Sequence, residues 1–304
     1  MIKNGGFPFS VYTILYNACV TSIADYASEV TGFSEHESTL NVHLRAIRAF
    51  LGLPKNSCNF GALSEVDWLL PVHRTRIRMI RQYWRMLHMD DTRLTKKVLN
   101  WDRRLNDLEM LENWSWEVKK IFRDCQLEDV YTAREFHLSS TLANIKEKMD
   151  YNQKMKYQEE CLKMPKLRTF MTFKVFGSLP AYVSKPLMFT QRRVLGKLQL
   201  GCLELRIETG RYNRPRLPIH ERSCQICSWP GGFHPIETEY HFLFLCPVYK
   251  AIRNEWLQKM SLPDNFLSLP DHSKFKIVLN SPNNVKATAN YVLEALQMRN
   301  NALI

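Results

Sequence analysis

Long apolar runs are missing from this sequence. The best stretch, near residues 11–30, is interrupted by Asp25 and Glu29. No segment reaches the roughly 20 apolar residues that a membrane helix requires. The start M-I-K-N-G-G-F-P has neither the apolar core nor the small-residue cleavage site of a secretory signal. These absences point to an intracellular protein, in nucleus or cytoplasm, with no membrane partner. Cysteine is present, but Cys19, Cys58, Cys125, Cys161 and Cys202 show no framework spacing, which argues against a disulfide-stapled secreted domain. Also missing are a Walker-type phosphate loop, a Ser-His-Asp arrangement and a paired-glutamate arrangement, so no catalytic residue is assigned.

What is there is the composition of a chain with an ample core. Hydrophobic residues make up 45% of the 304, and charged residues 24%, which excludes a disordered class. The formal net charge is +12, and it is localised. Residues 161–220 hold twelve Lys or Arg against two acidic residues, while 1–60 and 221–260 are each balanced. A diffuse excess would mean only a basic surface; a concentrated one suggests a site for a polyanion.

Helical periodicity dominates. Residues 8–31 read as a buried helix ending before Gly32. Residues 36–51 read as an amphipathic helix with Leu40, Leu44, Ile47 and Leu51 on one face, stopped by Gly52 and Pro54. In the helix expected over 65–88, Arg74, Arg78, Arg81 and Arg85 recur at offsets of four, three and four. They share a face that could track phosphates or simply be solvated. Three further helices are expected over 92–162, and two over 261–304, split at Pro282.

The chain's most specific pattern runs from Cys224 to Cys246. C-Q-I-C is followed by thirteen residues and then H-F-L-F-L-C. Cys224, Cys227, His241 and Cys246 offer three thiolates and an imidazole, the donor set of a tetrahedral Zn2+ knuckle. His234 is the rival fourth ligand. The alternative is three buried cysteines and a surface histidine. Ahead of this motif lies the basic region. In K-L-R-T-F-M-T-F-K-V-F-G, Lys166, Arg168 and Lys174 alternate with Phe170, Phe173 and Phe176, either a stacking platform for single strands or three core rings. Arg192, Arg193 and Lys197 are expected exposed on a short helix over 187–200. Arg206, Arg211, Arg214 and Arg216 surround Gly210 and two prolines. Their planar guanidinium groups suit phosphate contacts.

These blocks resemble a family. S-I-A-D-Y-A-S-E-V-T-G-F followed by R-A-I-R-A-F-L-G-L-P-K-N-S is similar to the thumb of non-LTR (LINE-type) retrotransposon reverse transcriptases. K-L-R-T-F, R-R-V-L-G-K-L, I-E-T-G-R-Y-N-R-P, the cysteine pair and I-E-T-E-Y-H-F-L-F-L-C-P-V-Y resemble, in the same order, the carboxy-terminal zinc-binding segment of those proteins. The resemblance spans roughly residues 20–260. It implies that Cys224, Cys227, His241 and Cys246 bind zinc, and that Arg206 and Arg211 contact nucleic acid. The sequence Met89-Asp90-Asp91 looks like part of a polymerase turn. It follows a helical pattern rather than a strand, however, and no third carboxylate sits in a plausible upstream strand. Asp90 and Asp91 are instead expected to cap the next helix.

The expectation is therefore a mainly α-helical protein: thumb-like helices over 1–60, a helical linker over 61–160, a basic region with a small Cys3His zinc knuckle over 161–260, and a helical tail over 261–304. It would bind RNA or DNA (template RNA, target DNA or a hybrid) without palm or endonuclease, and would not be an enzyme on its own. The alternative is a zinc-dependent protein-interaction module of a domesticated or degenerate transposon-derived protein.

Overall fold

A computed structural model describes residues 7–33, 36–108, 112–227 and 234–303. It is mainly helical, with 69% of residues in helix and no strand among the described residues. The longer helices are α1 (Phe9–Tyr16), α2 (Glu37–Leu51), α3 (Pro71–Leu87), α4 (Leu94–Asp107), α5 (Trp114–Asp124), α6 (Leu138–Leu162), α7 (Phe189–Gln199), α8 (Lys250–Gln258), α9 (Asp271–Asn280) and α10 (Val285–Ala302). No helix among the described residues is long and apolar enough to cross a membrane. The chain forms two compact units that interleave in sequence. One comprises Met1–Ile14, Ala46–Asp67 and Tyr157–Ile304; the other comprises Leu15–Arg45 and Trp68–Lys156. The four consecutive segments expected from sequence divide the chain differently.

The second unit is built on a core from α3, α4, α5 and α6, with Met79, Ile80, Tyr83, Leu99, Val118, Phe122, Ile145 and Met149 buried together. Tyr83 stacks on Tyr131 at 5.4 Å between ring centroids, and the Arg103 guanidinium lies over both rings. The arginine stripe of α3 divides. Arg74 donates through Nε and Nη2 to the buried Asp25 carboxylate at 3.0 and 3.2 Å, and Arg78 donates to the Asp25 carbonyl at 3.0 Å. Only Arg81 and Arg85 remain exposed. A buried carboxylate needs a counter-charge, and Asp25 takes half the stripe.

The stretch 8–31 corrects its expectation. It is not one buried helix. A π-helical turn over Asn17–Thr21 and Ala27 in the left-handed region, at φ 54°, break it into short pieces. Thr13, Thr21 and Ser22 each donate to the carbonyl four residues back, a bond that bends helices. Ile14, Ile23, Tyr26 and Val30 are exposed. Asp90 does not cap α4 either. It accepts from the Thr92 backbone N–H and hydroxyl at 2.9 and 2.5 Å, while Arg93 stands at the N-cap without a side-chain bond.

Two histidines, His43 fully buried and His73 half-buried, should make the second unit acid-sensitive. His43 accepts or donates at Nδ1 to the Tyr16 hydroxyl at 2.8 Å and packs beside Trp68. Burial, with the Arg74 charge adding, pushes it from 6.5 down to about 3. Burial and Arg76 push His73 down to about 4. Below pH 6.5 the unfolded chain takes up protons that the folded chain refuses. The stabilising preference for neutral imidazole is therefore complete above 6.5 and is lost as pH falls toward those folded values. Each histidine should cost about 1 kcal/mol per pH unit. Urea midpoints should fall between pH 7 and pH 5, and the slope should shrink in a His43→Gln, His73→Gln chain. An unchanged slope would assign the acid sensitivity to other groups.

In the first unit, α7 packs along α10. Here the structure corrects Arg192, expected on the exposed face. It is fully buried, its guanidinium 3.9 Å from the Phe50 ring centroid, and its Nε donates to the Phe50 carbonyl at 2.8 Å. That carbonyl belongs to the last turn of α2, where helix geometry leaves acceptors unpaired. Arg192 satisfies one of them. The chain leaves α2 through Gly52 at φ +67°, where a Cβ would come within 2.6 Å of Arg193 Cβ. Only glycine meets both demands.

Candidate metal centre

Two limbs of chain carry the cysteine–histidine motif. They are pinned by an antiparallel bridge between Ser223 and Ile236, with Cys224 N–H donating to the Pro235 carbonyl at 2.8 Å and Glu237 N–H to the Arg222 carbonyl at 2.9 Å. The first limb presents Cys224 and Cys227. The second enters a π-helical turn over His241–Leu245, opened by Thr238, whose hydroxyl accepts from His241 N–H at 3.1 Å. In an α-helix, residues five apart point roughly 140° away from each other. The π turn, closed by Cys246 N–H donating to the His241 carbonyl at 2.8 Å, returns residue 246 over residue 241. A wider turn is what lets this spacing serve one site.

All four side chains are buried, and their ligand atoms lie within 4.8 Å of one another. His241 Nε2 is 3.5 Å from Cys227 Sγ. A tetrahedral ion with sulfur at about 2.3 Å and nitrogen at about 2.0 Å sets those donors about 3.5 Å apart. The group could hold a metal ion. Its thiols already share protons unequally. Hydrogen bonds from Cys246, then His241, Ile226 N–H and Cys227, hold the Cys224 thiol well below its ordinary value, while that same bond and burial push Cys246 up. His234, the rival ligand, is exposed and outside the cluster. Pro230, Gly231 and Gly232 lie outside the described residues.

The surroundings were not foreseen. Glu237 is buried and receives three donors. Arg299 on α10 gives Nε and Nη2 at 2.7 and 2.9 Å, and Arg206 gives its backbone N–H at 2.6 Å. Arg253 on α8 donates to the Cys246 carbonyl at 2.8 Å. Tyr291 on α10 donates to the Leu243 carbonyl at 3.0 Å. Arg222 is buried whole, donating to the carbonyls of Leu217 and Ile207. It fits because Gly210 has no side chain; a Cβ there would meet Arg222 Cγ at 2.7 Å. The one sequence signal for this network was Glu237 and Glu239 in a short run just before His241.

No protein-family model, curated protein or solved structure matches the chain.

The basic region is only partly free. Arg168 and Thr169 are committed to Glu239, Arg211 to Glu208 at 3.2 Å, and Lys174 to Glu65 at 2.7 Å. Phe170 and Phe173 are buried, and the three rings 170, 173 and 176 pack edge-to-face, so they are core rather than a stacking platform. Arg193, Lys197, Arg206, Arg214 and Arg216 make no ion pair among the described residues. Arg193, Arg214 and Arg216 are exposed.

Proposed function

We propose that this chain binds nucleic acid electrostatically, with a zinc ion in the Cys3His group fixing the loop beside the binding surface. The reading has it act as the carboxy-terminal segment of a LINE-type reverse transcriptase, without a palm or endonuclease of its own within these residues and without catalysis. The observation that carries it is the set of cations left over after folding: Arg193, Lys197, Arg206, Arg214 and Arg216 keep their charge unspent, close in sequence to the metal group. Zinc is the ion of choice for three thiolates and an imidazole in a closed tetrahedral site. RNA, DNA or a hybrid would be held by counterion release, with little sequence preference.

The test is fluorescence anisotropy with 20-mer RNA and DNA from 50 to 200 mM salt. Affinity should fall steeply with salt. Replacing Arg193, Arg214 and Arg216 by Ala should weaken binding on the order of tenfold or more and reduce the salt slope by about three. Arg211, already paired with Glu208, should matter less. Salt-independent binding, or full binding by the triple variant, would refute the reading.

A further inference from the structure

Helix α4 is apolar on two sides. Leu99, Arg103 and Asn106 face the core of the second unit and are buried. At about 100° per residue, nearly the opposite side carries Leu94, Val98, Trp101 and Leu105, continued by Leu108 just past the helix end. Leu94 is 75% exposed, Val98 50%, Trp101 63% and Leu108 58%. The spacing is four, three, four and three, the alternation of the two apolar positions of a heptad. Single exposed apolar residues are ordinary, but a continuous stripe containing tryptophan marks a contact surface.

We propose that this stripe is the seam of a parallel two-helix contact with α4 of a second copy of the chain. Taking Val98 and Leu105 as the first seam position and Leu94, Trp101 and Leu108 as the second sets each residue against its own copy, with a β-branched residue at one of the two first positions and leucine at two of the three second positions. The flanking charges choose the orientation. Lys97 and Arg104 lie on one edge of the stripe and Asp102 on the other. Lys97 and Arg104 are exposed and make no ion pair among the described residues. Asp102 spends one carboxylate oxygen on the Ser115 N–H at 2.9 Å. In a parallel pair, Lys97 faces the residue five further along on its neighbour, which is Asp102. In an antiparallel pair the two basic edges would meet, and like charges would repel. The seam is short, about 20 Å, and such a helix is marginal in isolation. Here it is already folded against a core, so association need not order it.

Sedimentation equilibrium of the full chain should show a concentration-dependent monomer–dimer equilibrium. Trp101→Glu should raise the dimer dissociation constant on the order of 30-fold or more, with helical content and bound metal unchanged. Lys97→Glu, at an exposed position that cannot disturb the core, should also weaken the dimer. In a Cys19→Ser background, Val98→Cys should give a disulfide-linked dimer under mild oxidation, because this position meets its own copy only when the helices run parallel and in register. A chain that stays monomeric at every concentration overturns the proposal, as would a dimer indifferent to Trp101→Glu or Lys97→Glu. Failure of Val98→Cys to cross-link within a dimer overturns the parallel seam.

Discussion

Cys246→Ser should leave purification without bound metal, whereas the unaltered chain should carry one zinc ion per molecule by elemental analysis. Cys246 is fully buried and takes part in both halves of the site. Its thiol is a donor, and its backbone N–H closes the π turn that positions His241. A serine hydroxyl can neither replace a thiolate as ligand nor ionise at neutral pH. Three remaining donors would not hold a structural ion against dilution. Structural zinc contributes roughly 10–16 kcal/mol of apparent binding free energy in small peptides at neutral pH, more than the whole stability of most domains. The first unit should therefore lose much of its resistance to heat along with its metal. Cys224→Ser should behave alike. His241→Ala should weaken retention far more than His234→Ala, because His234 is exposed and away from the other donors. Full metal content in Cys246→Ser, or the reverse ranking of the histidines, would show that the ion sits elsewhere.

The second large effect concerns Glu237. Replacing it with Ala strands Arg299, a buried guanidinium, and also removes the acceptor of the Arg206 N–H. Breaking a buried ion pair from one side costs about 3–5 kcal/mol, several times the usual value of a single hydrogen bond. The loss should appear as a lowered denaturant midpoint with unchanged slope. A double replacement, Glu237→Gln with Arg299→Met, should recover part of it, since no uncompensated charge then remains. A double variant no better than Glu237→Ala would mean that the stranded Arg299 charge is not the source of the loss.

The sequence showed well those features that obey a local rule. The amphipathic run 36–51, the split at Pro282 and the cluster of Cys224, Cys227, His241 and Cys246 follow from periodicity and ligand spacing, and the structure has all of them. What could not be read was which charges fold uses for itself. Arg192 and Arg193 are adjacent and look alike, yet one closes the end of α2 and the other faces water. That difference depends on a carbonyl 142 positions away. The same holds for Arg74 and Asp25, 49 positions apart, and for Arg299 and Glu237, 62 apart. Each is a long-range pairing decided by packing, to which helical periodicity is blind. Residues 8–31 failed for a different reason. Their apolar content was read as burial, although apolar atoms form much of any folded surface.

The turn over His241–Leu245 also constrains how this segment can change length. With its i→i+5 closure, the five-residue step between the last two donors makes one circuit. Deleting one residue from 242–245 would leave a four-residue step, which an ordinary α-helix also turns onto a single face. The ion could survive such a deletion. What could not survive is the phasing beyond it: α8 would leave the site rotated by roughly 100°, carrying Trp256 off the Tyr291 ring of α10 on which it now stacks at 4.3 Å. Tolerance of insertions and deletions in this loop is therefore set by the helices that leave the metal site, and less by the metal itself.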